Sequence, residues 1–469
     1  MTATMPTLGD PRALRTRQGG ARARLDRTVR LVTGSALWLS LLLVTFWWAT
    51  GGGFQDLGAW ATGLVSVGRL TGLVASVLLL AQVLLMARVP WLERAFGQDK
   101  LTHTHRLVGF TSFNLMLTHI VLITWGYAVG SLSRFPATLW DLVWHYPGML
   151  LATAGTAALF LVVGTSIRAA RRRIRYESWH LLHLYAYLGV GLALPHQLWT
   201  GQQFLSSPGR TLFWWTAWGV TAGAVLLWRV ALPLWRNARH QLRVTSVVPE
   251  APGVASVYLT GRAMHRMPVE AGQFFTWRFL GRPGWSRANP YSLSAAPDGR
   301  SLRITVQDVG DGSRSAHALT PGTRVVVEGP YGRLSSRART RRRVAFIGAG
   351  VGLAPLRALA EAMPYAPGDA IYVERFGDTP LFAREIDVLS RERGLQVLRL
   401  PGRRRADGSW MPRGVGNVSD FDALRGWIPD IAHRDVYVCG PAPWADLVER
   451  DLMAAGLPPE QLHLETFQW

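Results

Sequence analysis

Long apolar segments fill the first half of the chain, and shorter alternating segments fill the second half. Six apolar stretches lie between residues 28 and 235, and each approaches the ~20 residues that a helix needs to cross a bilayer. They cover residues 28–50, 63–88, 104–128, 148–167, 179–199 and 211–235. The pattern predicts a six-helix transmembrane bundle over residues 28–238.

The pattern changes after Arg239. Apolar and polar residues alternate from Gln241 onward, with Gly and Pro turns at short spacing, which predicts a small antiparallel β-barrel over residues 239–336. From Arg343, apolar strands, Gly-rich turns and helices follow one another, which predicts an α/β domain of Rossmann-like type over residues 340–469. The chain is therefore expected to be a multi-domain membrane protein.

The first 27 residues have a different composition. They are polar, rich in arginine and interrupted by Gly and Pro, which predicts a disordered basic tail lying against membrane lipid. No small-residue cleavage site follows the first apolar stretch, so this segment is not expected to be a secretory signal.

Histidines stand near both ends of two apolar segments. His105 and His119 are 14 residues apart, and His183 and His196 are 13 residues apart. On α-helices these separations correspond to about 21 Å and about 19.5 Å. Neutral histidine is a good ligand of haem iron, and a histidine inside a membrane span indicates a function. Two such helices side by side would hold two haems, each ligated by one histidine from each helix.

Helical phase supports one segment better than the other. At about 100° per residue, 14 steps return to nearly the same face, whereas 13 steps end roughly 140° away. Pro195 directly precedes His196 and can kink or unwind that turn. His180 is a second candidate, but its separation from His196 would be about 24 Å, a poorer match to the partner helix. The alternative for all these residues is a core histidine that neighbouring hydroxyls and carbonyls satisfy.

Basic residues in the loops predict the orientation. Loop 88–106 carries several basic residues and loop 168–175 contains five arginines, whereas the intervening loops are poorer in them. Positive loops face the cytoplasm, so both termini are expected on the cytoplasmic side of the cell membrane. The expected pairs are then His105 with His183 near the inner face and His119 with His196 near the outer face.

Arg69 stands inside the second apolar segment, where a charged side chain needs a partner. A haem propionate is one candidate partner. The alternative is an arginine that extends to the outer surface of the membrane.

Charge and cysteine content exclude some classes of protein. The net charge of +21 could indicate a nucleic-acid partner, but the arginines lie in the tail, the loops and short surface runs. No nucleic acid is therefore expected. The single cysteine, Cys439, excludes intramolecular disulfides, Cys-ligated zinc sites and iron–sulfur clusters.

Two motifs in the predicted barrel could bind a flavin. In Asn289-Pro-Tyr-Ser-Leu-Ser294, an aromatic ring could pack on an isoalloxazine and a serine could hydrogen-bond its N5 atom; a β-turn is the alternative. In Gly310-Asp-Gly-Ser-Arg-Ser315, backbone amides and hydroxyls could cradle a pyrophosphate; a surface loop is the alternative.

Two motifs in the α/β domain could bind a nucleotide. An apolar strand runs through Gly348, Gly350 and Gly352 into a helix, and such glycines let the backbone approach phosphates at a helix N-terminus. Residues 436–441 form a buried strand that ends in a tight turn, and the chain itself ends in Trp469.

Taken in order, these motifs make the chain resemble the ferric reductase and NADPH oxidase superfamily, from about residue 30 to residue 469. The second half resembles ferredoxin–NADP reductase. The resemblance implies two b-type haems on the four histidines, an FAD-binding domain and a domain that binds NAD(P)H.

The resemblance also implies roles for individual residues. FAD would be contacted by Asn289, Pro290, Tyr291, Ser292 and Ser294, with Gly312 and Ser313 at its pyrophosphate. The nicotinamide nucleotide would be contacted by Gly348, Gly350, Gly352, Pro355, Cys439, Gly440 and Pro441. Trp469 would cover the flavin, and Trp469 and Cys439 are the predicted catalytic residues. Asn289 departs from the Arg or His usual in the family, which weakens a charge-assisted grip on the FAD phosphate.

The choice between NADPH and NADH depends on the end of the second strand of the α/β domain. A ribose 2′-phosphate favours arginine and a free 2′-hydroxyl favours an acid, and Glu374 and Arg375 offer both. Arg375 and the arginine run 403–405 favour NADPH.

The sequence thus predicts an NAD(P)H-dependent transmembrane oxidoreductase. Electrons would pass from NADPH through FAD and two haems to an acceptor outside, which would be ferric iron, a ferric chelate or dioxygen. Two other classes stay open: a histidine-based ion or proton transporter fused to a reductase module, and a haem-binding scaffold without turnover. The sequence identifies neither the acceptor nor a partner subunit.

Overall fold

The computed structural model describes residues 11–167, 176–201, 203–281, 284–332, 334–406, 408–416 and 418–467. The arginine-rich loop 168–175 therefore lies outside the described residues, as does Trp469. One compact unit is Thr28–Leu232, and a second includes Pro233–Trp469. Each is described separately below.

The first unit is built from helices. Their bounds are α1 Pro11–Trp48, α2 Trp60–Leu85, α3 Pro90–Phe96, α4 Gln98–Tyr127, α5 Phe135–His145, α6 Met149–Ser166, α7 Tyr176–Trp199 and α8 Pro208–Ala224. A π-helical segment, Val225–Ala231, follows α8 and leads into α9, Leu232–His240. Helix α1 begins at Pro11, so the backbone of residues 11–27 is helical where the sequence predicted disorder. The Ala, Arg and Leu residues of this stretch are good helix formers and extend the helix of the first apolar segment.

Five helical segments in the described part of the chain are long and apolar enough to cross a membrane. They are Arg24–Gly53, Trp60–Leu85, Lys100–Tyr127, Met149–Ser166 and Pro208–His240. The remaining predicted span, residues 179–199, lies on α7, which is 24 residues long but is not among the five. Its histidines, tyrosines and tryptophans make α7 more polar than the others.

Small residues let the helices of this unit approach one another. Helix α2 packs along α4, and α6 packs along α7. A Cβ atom on Gly155 of α6 would lie 2.7 Å from the carbonyl oxygen of Gly189 on α7, and a Cβ on Gly189 would lie 2.9 Å from that of Gly155. Close contacts at small residues are typical of membrane bundles, because the lipid leaves packing as a main source of association.

Six strands of the second unit form two antiparallel sheets, with strand orders β1-β2-β5 and β4-β3-β6. Their bounds are β1 Arg243–Ala251, β2 Val254–Thr260, β3 Phe274–Phe279, β4 Asn289–Ser292, β5 Ser301–Gln307 and β6 Val325–Tyr331. The short helix α10, Asp311–His317, follows β5. Bridges from Arg243 to Arg324 and from Leu293 to Ile304 join strands of the two sheets. The predicted antiparallel domain is confirmed.

Five parallel strands form a third sheet, with order β11-β10-β7-β8-β9. The strands are β7 Arg343–Ala349, β8 Ala370–Phe376, β9 Gln396–Pro401, β10 Arg434–Pro441 and β11 Leu462–Phe467. Helices of this domain are α11 Leu353–Ala362, α12 Ala383–Arg393, α13 Asp420–Trp427 and α14 Ala442–Ala454. From β7 the chain adds strands β8 and β9 on one side, and then β10 and β11 on the other side, so the strand order changes direction between β7 and β10. In sheets of this kind, ligands bind beyond the carboxyl ends of the strands at that point. The predicted α/β domain is confirmed.

Candidate functional site

The structure brings the four histidines together in the two predicted pairs. The rings of His105 on α4 and His183 on α7 have centroids 6.1 Å apart. His119 and His196, on the same two helices, are close enough to interact electrostatically. Two histidine–metal bonds of about 2 Å each, plus the distance from each nitrogen to its ring centre, add up to ~6 Å. The inner pair therefore fits a single iron atom held between the rings.

The Nδ1 atoms of three histidines make hydrogen bonds. That of His105 is 3.1 Å from the carbonyl oxygen of Gln82, and that of His119 is 2.7 Å from the carbonyl oxygen of Gly68. A carbonyl only accepts, so Nδ1 carries the proton in both rings and Nε2 has the lone pair that a metal needs. His183 Nδ1 lies 3.3 Å from the hydroxyl of Ser166. Metal-ligating histidines usually engage their second nitrogen in this way.

The outer pair has a tighter support on one side. A Cβ atom on Gly72 of α2 would lie 2.6 Å from Nδ1 of His119, so only glycine leaves room for that ring. Nδ1 of His196 is buried without a hydrogen bond of normal geometry among the described residues, although the backbone of Ala193 is near enough to interact with it. Pro195 lies inside α7, which continues to Trp199.

The donor set suits a haem better than a bare metal ion. Within the described ranges, no group of three or more His, Cys, Asp or Glu side chains could hold a metal ion. A haem iron takes two axial ligands from the protein, and each histidine pair offers two. Haem ligation by these pairs stays a prediction.

Arg69 has a carboxylate partner in the protein. Its guanidinium pairs with Asp56, which lies on a short 3₁₀ segment, Gln55–Gly58. The Nε atom of Arg69 is buried and makes no hydrogen bond within the part of the chain that the structure describes. Asp56 thus supplies the charge partner that a membrane arginine needs, and a contact with a propionate stays a prediction.

A cleft in the second unit contains four of the predicted flavin and nucleotide residues. It is lined by Pro290, Tyr291 and Ser292 of β4, by Thr305, Val306 and Gln307 of β5, and by Val351, Ala354 and Pro355 at the start of α11. The hydroxyl of Ser292 is buried and has no partner among the described residues. Burial raises the pKa of Tyr291 to about 12, so its phenol stays neutral. An aromatic residue and a serine with an unsatisfied hydroxyl on one cleft-lining strand fit a flavin ligand.

The sequence missed five residues of this cleft. Thr305, Val306 and Gln307 reach it because β5 meets the segment after β4 through the Leu293–Ile304 bridge. Val351 and Ala354 are apolar residues between the glycines and Pro355, and only their proximity to that motif could have indicated them.

The remaining flavin residues divide into two groups. Asn289 lies beside Gly312, where a Cβ atom would be 3.0 Å from the Asn289 Oδ1 atom. The Ser313 hydroxyl accepts hydrogen bonds from the backbone N–H groups of Val309 and Gly310. Ser294 is fully buried, and its hydroxyl accepts a hydrogen bond from Arg303 at 3.1 Å. The Ser294 side chain is thus already bonded to an arginine, and its contact with a flavin stays a prediction.

The two nucleotide motifs meet at the point where the parallel sheet changes direction. Gly348 of β7 is paired in register with Cys439 of β10. A Cβ atom on Gly352 would lie 2.8 Å from Cα of Gly440, so glycine is needed where the two turns touch. Gly350 has a φ of +56°, a conformation that glycine adopts readily. Pro441 begins the connection into α14.

Cys439 is buried with no exposed surface. Burial, with a further contribution from Glu465, raises the pKa of its thiol well above the ordinary value. The thiol is therefore neutral, and any role of Cys439 next to a nicotinamide is that of a small neutral group. The other predicted catalytic residue, Trp469, lies outside the described residues.

The acid and the base at the end of β8 differ in availability. Glu374 is fully buried and accepts a hydrogen bond from Arg399 at 2.6 Å. Arg375 is half-buried, and its Nε atom has no partner within the described ranges. Burial, and then the nearby Arg404, lower the pKa of Arg375. Two neighbouring cations fit a phosphate, whereas Glu374 is fully buried and paired through one carboxylate oxygen with Arg399.

Comparison with known proteins places both halves of the chain. Residues 71–194, which include His105, His119 and His183 and end two residues before His196, match the family described as ferric reductase like transmembrane component. The chain is 30% identical over 240 residues to the ferredoxin–NAD(+) reductase component of the alkene monooxygenase system of Xanthobacter autotrophicus, which covers 49% of this chain and 70% of that protein. It is 31% identical over 212 residues to a flavohemoprotein of Xylella fastidiosa, covering 43% of this chain and about half (51%) of that relative.

Among solved structures, the chain matches the FAD/NAD-binding domain of nitric oxide dioxygenase from Vibrio cholerae O1 biovar El Tor. The identity is 22%, the match covers 49% of this chain and 99% of that one, and the TM-score is 0.37. The family match and the apolar helices identify a membrane protein. The chain belongs to the ferric reductase and NADPH oxidase superfamily, in which a ferric reductase-type transmembrane component is fused to a ferredoxin reductase-type module.

Proposed function

We propose that this protein transfers electrons across the cell membrane, from cytosolic NADPH or NADH through FAD and two b-type haems to an acceptor outside. The observation that carries the proposal is the pair His105 and His183, with ring centroids 6.1 Å apart, together with the interacting pair His119 and His196 on the same two helices. A ferredoxin reductase-type module in the same chain supplies a source of electrons. The relatives of both halves of the chain indicate an NAD(P)H-linked oxidoreductase.

The four membrane histidines would hold the haem irons through their Nε2 atoms. The backbone carbonyls of Gln82 and Gly68 hold the Nδ1–H groups of His105 and His119, which fixes both the tautomer and the ring orientation. Haem ligation by histidines of both α4 and α7 requires α7 to cross the membrane beside α4 as a sixth span. Both termini then lie in the cytoplasm, since loop 88–106 is basic.

The reductase residues bind and orient the flavin and the nicotinamide nucleotide. Tyr291 would pack against the flavin ring, and Ser292, whose buried hydroxyl has no partner among the described residues, would hydrogen-bond to it. Pro355 lines the opposite wall, where the nicotinamide enters, and Arg375 with Arg404 holds a ribose 2′-phosphate, so NADPH is preferred. The two antiparallel sheets close into the barrel that carries the flavin. When bound, these cofactors supply hydride acceptance and single-electron transfer.

The acceptor is proposed to be ferric iron or a ferric chelate, with dioxygen as the alternative. Support comes from the ferric reductase-like component. A direct comparison of the initial rates of NADPH oxidation with a ferric chelate and with dioxygen, the latter followed by superoxide detection, distinguishes them.

The test of the proposal is an absorbance spectrum of the full chain purified in detergent, before and after NADPH is added with FAD under anaerobic conditions. We expect a b-type haem spectrum with two haems per chain that NADPH reduces. Folded protein without haem would contradict the proposal and favour a transporter. Haem that dithionite reduces but NADPH does not would favour a scaffold without turnover.

A further inference from the structure

Four charged side chains lie together behind the cleft, between β5 and the helices of the α/β domain. They are Arg303, Arg357, Glu361 and Glu385, and we call them the arginine–glutamate cluster. Arg303 is 4% exposed and Arg357 is 7% exposed. Arginine is almost never buried to this extent unless it is fully paired, so the cluster is a specific arrangement.

Arg303 belongs to the antiparallel domain and reaches into the α/β domain. Its two terminal nitrogens donate to both carboxylate oxygens of Glu385, at 2.7 and 2.9 Å. The same guanidinium donates to the hydroxyl and the carbonyl oxygen of Ser294, at 3.1 and 2.7 Å. It also lies over the rings of Tyr258 and Phe382, at 5.8 and 5.2 Å from their centroids. A planar fork with this many contacts has little freedom to move.

Arg357 and Glu361 make the reciprocal contacts from α11. Arg357 donates to the carbonyl oxygen of Ser294 at 3.2 Å, pairs with Glu361 at 2.6 Å, and lies 2.5 Å from a carboxylate oxygen of Glu385. Glu361 accepts a hydrogen bond from the backbone N–H of Ala296 at 2.6 Å. The backbone that follows the flavin motif is thus held at two points by one helix.

The cluster connects the two walls of the cleft. On one side, Ser294 comes two residues after Ser292, which lines the cleft. On the other side, Arg357 comes two residues after Pro355 on the same helix. Glu385 contacts Arg303 of the β5 wall and Arg357 of the α11 wall, so a shift of one wall relative to the other would strain these contacts.

We propose that the arginine–glutamate cluster is a positioning device for hydride transfer, in which Glu385 holds the nicotinamide wall of the cleft at a fixed distance from the flavin wall. The inference rests on the proposed function of the cleft. Arg303, Arg357 and Glu385 are positioning residues, because they act through Ser294 and α11 and do not line the cleft.

Electrostatics agree with a permanently charged cluster. Burial alone would raise the pKa of Glu385, but the hydrogen bond from Arg303 and the charge of Arg357 outweigh it and hold that pKa below its ordinary value. Glu385 therefore stays ionised at neutral pH. Two arginines and two glutamates balance, so removal of one carboxylate charge leaves a buried excess of positive charge.

The substitution Glu385→Gln tests the proposal, because it keeps the size of the side chain and removes its charge. The full chain with bound FAD is mixed with saturating NADPH and with [4-²H]NADPH under anaerobic conditions, and flavin bleaching is followed by stopped flow. We expect bound FAD to be retained, the bleaching rate to fall by ~10–100-fold, as for a displacement near 1 Å, and the deuterium isotope effect to rise. The KM for NADPH should change little. Glu392→Gln, at an exposed glutamate on the same helix, is the matched control.

The possible outcomes separate this inference from the proposed function. If the unsubstituted protein shows no flavin bleaching, the proposed function fails. If it bleaches normally and Glu385→Gln lowers the melting temperature but leaves the rate and the isotope effect per bound flavin unchanged, the cluster is only structural and the inference is overturned. If Glu385→Gln fails to fold or loses FAD, the variant Arg303→Lys replaces it, because lysine keeps the positive charge but cannot make the bidentate contact. An unchanged bleaching rate and isotope effect in Arg303→Lys would also overturn the inference.

Discussion

The inner and outer histidine pairs are built on the same two helices but are supported by different kinds of contact. At the outer pair, the ring of His119 lies against Gly72 and bonds to the carbonyl oxygen of Gly68 at 2.7 Å. At the inner pair, His183 contacts the hydroxyl of Ser166 at 3.3 Å. Each pair thus has one histidine bonded to a backbone carbonyl, but the outer pair adds a close contact with a glycine, whereas the inner pair adds a contact with a side-chain hydroxyl.

This difference predicts which kind of substitution should disrupt each histidine pair. At the outer site, an atom added at Gly72 should displace the His119 ring, because there is no free space beside that ring. At the inner site, loss of the hydrogen bond between Ser166 and His183 should weaken haem binding only slightly. The two sites should therefore respond in opposite order to added and removed atoms.

The largest expected effect comes from removal of a ligand. We expect His105→Ala and His119→Ala each to lose one haem, measured as pyridine haemochrome per chain, because each removes one axial ligand. NADPH should still reduce the remaining haem in His119→Ala but not in His105→Ala, because the inner site comes first in the electron path. His103→Ala, at an exposed histidine on the same helix, should keep both haems. Reduction of the remaining haem in His105→Ala would contradict the order of transfer.

The second prediction concerns crowding at the outer site. Gly72→Ala adds a Cβ atom 2.6 Å from Nδ1 of His119, so the ring must move away from the Gly68 carbonyl. We expect haem affinity at the outer site alone to fall by about 10–100-fold, as for loss of a supporting contact of a metal ligand. Haem loss to an apoprotein acceptor measures it. Gly191→Ala on α7, where an added Cβ meets no atom within 4 Å, is the control and should change nothing.

The third prediction uses the ion pair between Arg69 and Asp56. Removing a positive charge near a haem makes reduction less favourable, and removing a negative charge makes it more favourable. We expect Arg69→Gln to lower and Asp56→Asn to raise the midpoint potential of the outer haem in a spectroelectrochemical titration, with the inner haem unchanged. Equal shifts at both haems, or shifts of the same sign, would show that the ion pair acts through the fold and not through its charge.

The smallest effect is expected at the inner site. Ser166→Ala removes the partner of His183 Nδ1, which makes the ligand slightly less basic. We expect the midpoint potential of the inner haem to rise and its affinity to fall by less than ~10-fold, the lower end of the range for such partners. Ser40→Ala, at a half-buried serine of α1 whose hydroxyl donates to the carbonyl oxygen of Ala36 on the same helix, should leave both haems as they are. A loss as large as that of Gly72→Ala would remove the distinction between the two sites.

The sequence predicted the histidine pairing because helix geometry converts residue spacing into distance. It could not predict their supports, since Gly68, Gly72 and Gln82 lie on a third helix and two of the contacts are to backbone carbonyls. The partner of Arg69 was missed for a similar reason: Asp56 lies in a loop whose path only the fold determines.

In the reductase half, motif order predicted the domains and four of the nine residues that line the cleft. It could not tell which residue of a motif faces the ligand. Ser292 and Ser294 belong to one motif, yet the first faces the cleft and the second faces Arg303. Glu374 and Arg375 are adjacent on β8, so they point to opposite faces, and only one of them is accessible. Which of two alternate residues is buried depends on the elements that pack against each face of the strand. The sequence of the strand itself does not specify those elements.

The carbonyl acceptors at Gly68 and Gln82 have a genetic consequence. Because these oxygens belong to the main chain, no codon change at either position deletes the acceptor itself. A random-mutation screen for loss of haem should therefore recover His119 and its crowded neighbour Gly72, and should recover position 82 only through effects on its side chain. The protonation state of the two α4 histidines is in this sense protected from point mutation, and only an amide-to-ester exchange in the main chain could weaken it directly.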